Sequence, residues 1–449
     1  MMDKCMYTIL INKYNMMYLT LMEYSKLEEF NHWWVRTLVD PDLALPFKRD
    51  IYDTIKSKMT SRFIISITGL RRVGKTTILY QIIDNLLTSG VDQSDILFFS
   101  FDERSADVGD VIETYVTFQK KDLREQRVFI FFDEIQKCEG WENELKKYYD
   151  LYPKLKFVIS GSESLFIKSR TKETLAGRIL DYNIGSFTFR EFLRFKNVTK
   201  SQLQYRSKVE PLFLKFIQRG GFPESFVFSS DNEFRQYIGG LVVDRIIYKD
   251  IPKLFKIDDP DFLATILELV ASNPGMYVDY NSLSRQYQKD RRVIKNYFIY
   301  LRESYLIRLI GNYRKGQNSS LRKLKKAYPT DTAISSLYRR HWDDSFIGRM
   351  VETALINYKE IMAFWKNSHE VDAVLNGKPI EIKFQESIRE EDFKGLFEFM
   401  KKFDENEGTM ITKKDTRRVK SSNGTISLIS AWEFFARDNE EEEKQIYFT

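Results

Sequence analysis

The sequence predicts an α/β protein of more than one domain, on three observations. Short β-branched or aromatic runs, such as residues 64–68 and 128–132, are each followed by a longer helical pattern. The first of these runs ends in a glycine-rich loop and the second in an acid pair. At 449 residues the chain exceeds one ordinary core and divides into two or three domains.

The opening stretch, MMDKCMYTILINKYNMMYLTLMEY, is rich in Met and Tyr, but Asn12, Lys13 and Asn15 interrupt its apolar run. It falls short of the roughly 18 to 20 apolar residues that a membrane span needs, and it lacks the order of a signal peptide. Residues 1–39 are read as an N-terminal extension with no assigned role.

RFIISITGLRRVGKTTILYQIIDNLL reads as strand, glycine-rich loop and helix. Residues 69–76 have the spacing G-x-x-x-x-G-K-T of a phosphate-binding loop. Its glycines let backbone N–H groups turn inward around phosphate oxygens, and the following helix adds its N-terminal donors. The candidate nucleotide-binding residues are Gly69, Arg72, Val73, Gly74, Lys75, Thr76 and Thr77. Lys75 would reach the β- and γ-phosphates, and Thr76 would place a hydroxyl on Mg²⁺.

The partner segment is RVFIFFDEIQKCEGWENELKKYYD, an apolar strand ending in Asp133 and Glu134. Asp133 can hold magnesium through water, and Glu134 can orient or deprotonate the attacking water. The strand LKFVISGSE ends in Ser160, Gly161, Ser162 and Glu163. Ser162 is the candidate for touching γ-phosphate or the lytic water, beside the plainer reading of a turn-forming serine. ILFFSFDE, at 96–103, reads as another buried strand whose Asp102 and Glu103 are caps or loop polar groups.

FFDEIQK at 131–137, GSESL at 161–165, LAGR at 175–178 and FTFREFL at 187–193 resemble segments of archaeal and bacterial AAA+ ATPases. The resemblance covers most of the chain from about residue 40 onward. It implies a P-loop NTPase domain of the AAA+ kind over residues 40–205, with ATP and Mg²⁺ as cofactors. It also implies Arg178 as a γ-phosphate arginine, supplied to its own site or to a neighbouring subunit of a homo-oligomer; the plainer reading is a salt-bridged surface arginine. The catalytic set is then Lys75, Asp133, Glu134, Ser162 and Arg178. Phe47 and Val73 become candidates for contact with adenine. Glu163 departs from the pattern, putting a charge where relatives carry a small polar residue.

Gly220, Gly221 and Pro223 break a helix and match the family's G-G-[YF]-P-E, so residues 206–260 are read as a helical linker or lid. Within it, LVVDRIIYKDI is expected as an amphipathic helix. Over 261–330, three helical patterns and a strand follow in the order of a winged helix-turn-helix. A DNA-binding version would use Arg291, Arg292 and Lys295 on the groove side. Its wing would carry Arg314, Lys315, Arg322, Lys323, Lys325 and Lys326. The other reading is a packing module with solvated cations.

Residues 340–449 change pattern, to helix, three strands, helix and strand. Asp372 and Glu381 fall on consecutive strands, Lys383 shares a face with Glu381, and Glu352 lies on the preceding helix. Carboxylates so placed can hold Mg²⁺ while the lysine orients water. The arrangement resembles the PD-(D/E)xK superfamily, which implies an α/β restriction-endonuclease-like domain with a metal site at Glu352, Asp372, Glu381 and Lys383. A non-cleaving relic of that fold, or a salt-bridged hairpin, stays open.

Lys plus Arg numbers 70 against 64 Asp plus Glu, a net charge of +6 that permits a DNA partner without implying one. Two cysteines exclude a disulfide framework and suggest a reducing, cytoplasmic setting. The function expected is Mg²⁺-dependent ATP hydrolysis coupled to DNA binding, with metal-dependent DNA cleavage by the C-terminal domain as a further expectation. The alternatives are a nucleotide-controlled signalling or defence switch with a protein partner, and a non-cleaving DNA-binding scaffold. No membrane partner is expected.

Overall fold

The computed structural model describes residues 24–102, 106–162, 174–314 and 324–437. The chain forms two compact units, Met1–Ile184 and Gly185–Thr449. No helix among the described residues is long and apolar enough to cross a membrane.

The first unit is built on five parallel strands: β1 (Ile64–Thr68), β2 (Ile96–Ser100), β3 (Val128–Asp133), β4 (Leu155–Gly161) and β5 (Ile179–Asn183). Their order across the sheet is β2-β3-β4-β1-β5. Residues of β1 to β4 are buried throughout, as expected of parallel strands covered on both faces by helices. β4 lies between β1 and β3, with Thr68 opposite Gly161 and Phe132 opposite Ile159. The register brings the phosphate loop after β1, Ser160 and Ser162 at the end of β4, and Asp133 and Glu134 at the end of β3 together at the C-terminal ends of the strands.

Described residues of the N-terminal extension dock on the edge strand β2. Asn31 accepts from the Phe98 N–H at 2.7 Å and donates to its carbonyl at 2.8 Å, completing a backbone pairing with a side chain. Trp34 Nε1 donates to the Ile96 carbonyl at 2.9 Å, and Trp33 is fully buried. Residues 24–39 thus have a structural role that sequence left unassigned.

The second unit begins earlier than the expected boundary at 205. FTFREFL is a helix, Phe189–Phe195, opened by a capping box between Thr188 and Glu191. Its Phe189 and Phe192 pack against Phe213, Phe216 and Phe226. The double glycine has a steric cause in Asp331, which is buried. Asp331 accepts from the Gly221 N–H at 2.9 Å, the Ala333 N–H at 2.7 Å and the Ser186 hydroxyl. A Cβ on Gly220 would overlap Asp331 Oδ1, and one on Gly221 would overlap the Phe187 carbonyl oxygen. The amphipathic helix expected at 241–251 falls largely on two π-helical stretches, Tyr237–Val243 and Ile246–Asp250.

Helices Pro260–Ser272, Tyr280–Tyr287 and Arg291–Glu303 follow, with β6 (Met276–Tyr277), β7 (Ile307–Asn312) and β8 (Lys325–Pro329). β8 pairs antiparallel with both β6 and β7. The expected separation between residues 330 and 340 does not divide this sheet. β7 also pairs with β9 (Ala363–Lys366), which pairs with β10 (Glu370–Val371). The strand expected over EVDAVL breaks at Asp372, because β11 (Ala373–Leu375) leaves β9 and pairs with β12 (Lys378–Lys383). β13 (Glu407–Thr412), β14 (Arg417–Ser421) and β15 (Gly424–Ser430) complete a sheet ordered β11-β12-β13-β15-β14.

Candidate nucleotide site and a second acid cluster

The phosphate loop is shaped by two glycines. Gly69 has φ +147°, and a Cβ there would overlap the Ile184 carbonyl oxygen; Ile184 in turn donates to the Thr68 carbonyl at 2.7 Å. Gly74, at φ +96°, leads into the helix Lys75–Thr88. Lys75 is buried, and its Nζ curls back to donate to the carbonyls of Gly69 at 3.1 Å and Leu70 at 3.0 Å. Arg72 is exposed and Thr77 half-buried. Val73 is fully buried and its carbonyl accepts from Arg49 at 2.8 Å, so the expectation of Val73 against adenine is corrected: its side chain faces the core. Phe47 lies in a segment pinned to the same helix by Gln81, whose Nε2 donates to the Phe47 carbonyl at 2.9 Å.

Thr76 Oγ1 donates to Asp133 Oδ2 at 2.9 Å. A hydroxyl and a carboxylate in contact at the mouth of the loop fit the oxygen ligands that Mg²⁺ takes. Asp133 also accepts from Ser160, a residue to which sequence reading gave no role, and the Glu134 N–H donates to Ser160 Oγ at 3.2 Å. Glu134 stands at φ +50°, uncommon for a non-glycine residue. Its Oε2 accepts from Ser162 Oγ at 2.9 Å, and its Oε1 lies 3.9 Å from Lys75 Nζ. Of the predicted catalytic residues, Lys75, Asp133, Glu134 and Ser162 therefore meet at one strand-end cluster.

Burial first, and then neighbouring Glu134, push the Asp133 carboxyl above its ordinary range. Burial pushes Glu134 upward too, but Lys75 and Arg71, with hydrogen bonds from Gln136 and Ser162, outweigh it and leave its pKa lowered.

Residues 61–193 match the family described as AAA domain. Over those residues the chain is similar to an AAA domain, with the parallel sheet and phosphate loop of a P-loop NTPase fold. Residues 210–340 match a second family, described as Domain of unknown function (DUF8612). An "Uncharacterized protein" of Haemophilus influenzae is 27% identical over 290 residues, covering 62% of this chain and 69% of that one. A Methanocaldococcus jannaschii protein, "Uncharacterized protein MJ1544", is 29% identical over 269 residues, covering 58% of this chain and 59% of its own. Among solved structures, one titled as a DNA replication initiation factor covers 63% of this chain and 90% of its own at 13% identity and TM-score 0.27. The Saccharomyces cerevisiae Hsp104-ADP complex covers 60% and 38% at 15% identity and TM-score 0.29. Scores this low add nothing to what the AAA domain match carries.

Within the matched segment, Arg178 is not at its own phosphate loop. It precedes β5, and its carbonyl accepts from the Ile64 N–H at 2.8 Å, at the start of β1. The loop begins at the far end of that five-residue strand, roughly 15 Å away at about 3.3 Å per residue. Arg178 instead forms a two-pronged pair with Asp150 at 2.9 and 3.1 Å. The own-site role is corrected accordingly. Glu163 and Leu165 lie outside the described residues. Asp181 was not singled out in the sequence, yet it accepts from Ser66 at 3.1 Å and Thr68 at 3.2 Å, joining β5 to the strand that carries the loop.

The second unit gathers Glu352, Asp372, Glu381 and Lys383, as expected, but adds Glu370 and a lysine. Lys326 on β8 is 5% exposed; its Nζ pairs with Glu370 and lies 3.3 Å from Glu352 and 3.9 Å from Asp372. Tyr328 donates to Glu352 at 2.5 Å, Asp372 accepts from the Ile382 N–H at 2.8 Å, and Lys383 pairs with Glu381 at 2.7 Å. Among the described residues no group of three or more His, Cys, Asp or Glu side chains is arranged to hold a metal ion. The residues expected as a metal site, Glu352, Asp372 and Glu381, are instead gathered around Lys326 and Lys383. The cation among these acids is an ammonium, and Glu381 Oε2 is buried with no hydrogen-bond partner among the described residues.

Arg291, Arg292 and Lys295 are exposed on the helix Arg291–Glu303. Lys325 is half-buried, its pKa lowered by burial first and then by Arg302 and Lys295. Lys326 faces the acids rather than solvent, which corrects its place on the wing. Lys315, Arg322 and Lys323 lie outside the described residues.

Proposed function

We propose that this protein hydrolyses ATP with Mg²⁺ and couples hydrolysis to DNA contact through residues 261–330, read as a winged helix-turn-helix. The carrying observation is the Thr76–Asp133 contact at 2.9 Å, with Lys75 and Glu134 beside it. When bound, Mg²⁺ held by Thr76 and Asp133 would offset phosphate charge. Lys75 would exchange two neutral carbonyl acceptors for phosphate oxygens. Glu134 would take the proton of the attacking water, and Ser162 would hold the Glu134 carboxylate in place.

DNA contact is supported by Arg291, Arg292 and Lys295, exposed cations along the helix Arg291–Glu303. The C-terminal domain is read as nuclease-like in element order and non-cleaving. Assembly into a homo-oligomer, with Arg178 reaching a neighbour's site, is part of the same proposal.

ATP turnover measured with and without duplex DNA tests the reading. Turnover lost in Lys75→Ala and raised by DNA is expected, with the rise weakened in Lys295→Ala/Lys325→Ala. Turnover indifferent to DNA would favour the nucleotide-controlled switch with a protein partner.

A further inference from the structure

Gln136 has no part in the mechanism above, yet it is joined closely to Glu134. Its Nε2 donates to Glu134 Oε2 at 2.5 Å and to Ser162 Oγ at 3.2 Å, while Ser162 Oγ donates to the same Glu134 oxygen at 2.9 Å. The three side chains close a ring. The ring fixes the orientation of the amide, since the flipped form would set two oxygen acceptors against each other.

The backbone is bent to allow this. Glu134 takes a left-handed φ of +50°, and the short 3₁₀ turn Ile135–Lys137 follows it directly. Residues two apart on a helical turn do not ordinarily face each other; the left-handed residue brings 136 back beside 134. Gln136 is also buried, and its Oε1 has no hydrogen-bond partner among the described residues. A glutamine kept only for packing would carry that unpaired oxygen at a loss, and Met or Leu would fill the space without it.

The two oxygens of Glu134 are therefore differently engaged. Oε2 is held by Ser162 and Gln136, and Oε1 faces Lys75 at 3.9 Å. We propose that Gln136 is a positioning residue for ATP hydrolysis: its amide N–H holds one oxygen of Glu134 so that the other meets the attacking water. The inference rests on the ATPase reading. It accounts at once for the left-handed Glu134 and the ring of three side chains.

The test compares Gln136→Met and Gln136→Glu with the unaltered full chain in steady-state ATP turnover across pH. Met matches the length of Gln without hydrogen-bonding groups. It is expected to lower kcat by roughly 10- to 100-fold while KM stays within about threefold. It should also move the acid limb of the kcat profile to higher pH, because losing a donor to the carboxylate makes Glu134 easier to protonate. Glu keeps the volume but sets a second charge against Glu134, and is expected to lose at least as much. A kcat within twofold of the unaltered chain, with the acid limb unmoved, overturns the proposal. So does a loss of kcat in both variants that tracks a lowered melting temperature with no shift of the limb. If the unaltered chain shows no turnover above Glu134→Gln, the ATPase reading itself fails and the proposal falls with it.

Discussion

Each unit holds a buried cluster of acids with a lysine among them, and the two lysines are held differently. Lys75 is bonded to two neutral backbone carbonyls, with Glu134 at 3.9 Å. Lys326 is surrounded by Glu352, Glu370 and Asp372. A lysine on carbonyls gives up little when phosphates arrive, so it is a ligand-binding group. A lysine inside three carboxylates is a fixed counterion whose removal strands buried charge. The same residue types thus make a site in one unit and a fastening in the other.

The largest expected effect separates the clusters by activity. Lys75→Ala or Glu134→Gln should lower ATP turnover by at least about 100-fold, whereas Lys326→Met should leave it within about twofold. Turnover assays on the purified variants check this, and equal losses would erase the contrast.

Stability should show the reverse order. Lys326→Met leaves buried acids without their cation and is expected to cost roughly 3 to 5 kcal/mol in urea unfolding. Lys75→Met removes two carbonyl contacts and one more distant acid, Glu134, and should cost less, roughly 1 to 2 kcal/mol.

A pH series sharpens the second cluster. Burial, and then Asp372, raise the Glu352 pKa to about 7. A raised acid binds more protons in the folded state between its unfolded value and about 7. Its stabilising contribution is therefore present below that window and lost as pH rises through it. The urea midpoint should fall between pH 5 and 7.5 by the equivalent of roughly 1 to 3 kcal/mol. Glu352→Gln should flatten the trend, and a midpoint rising across that range would contradict the assignment.

The smallest effect concerns Arg178. Paired with Asp150 at the start of β1, Arg178→Ala should leave turnover within twofold in dilute, monomeric samples. A large loss under those conditions would place the arginine back at its own phosphates.

The nucleotide site was legible because its chemistry is local. The loop spacing at 69–76 and the acids after the 128–132 run fix Lys75, Thr76, Asp133 and Glu134 with no long-range information. Ser162 was legible from its strand end. Gln136 and Ser160 were not, because their roles come from a left-handed residue at 134 and from β4 lying between β1 and β3. Asn31 pairing with Phe98, and Asp331 holding Gly221, are side-chain to backbone bonds that leave no periodic trace. Lys326 misled for a further reason. A lysine beside a turn reads as solvated, and only the pairing of β8 with β7, and of β7 with β9, turns it toward acids dozens of residues away.

The contrast between the clusters is tested most directly by counting bound Mn²⁺ with electron paramagnetic resonance, on the full chain with and without a non-hydrolysable ATP analogue. The account predicts one tightly bound Mn²⁺ per chain with the analogue and none without it, with that ion weakened by Asp133→Ala and unaffected by Asp372→Ala. A Mn²⁺ bound without nucleotide and lost on Asp372→Ala would show that the second cluster is a metal site and that Lys326 is not its fixed counterion.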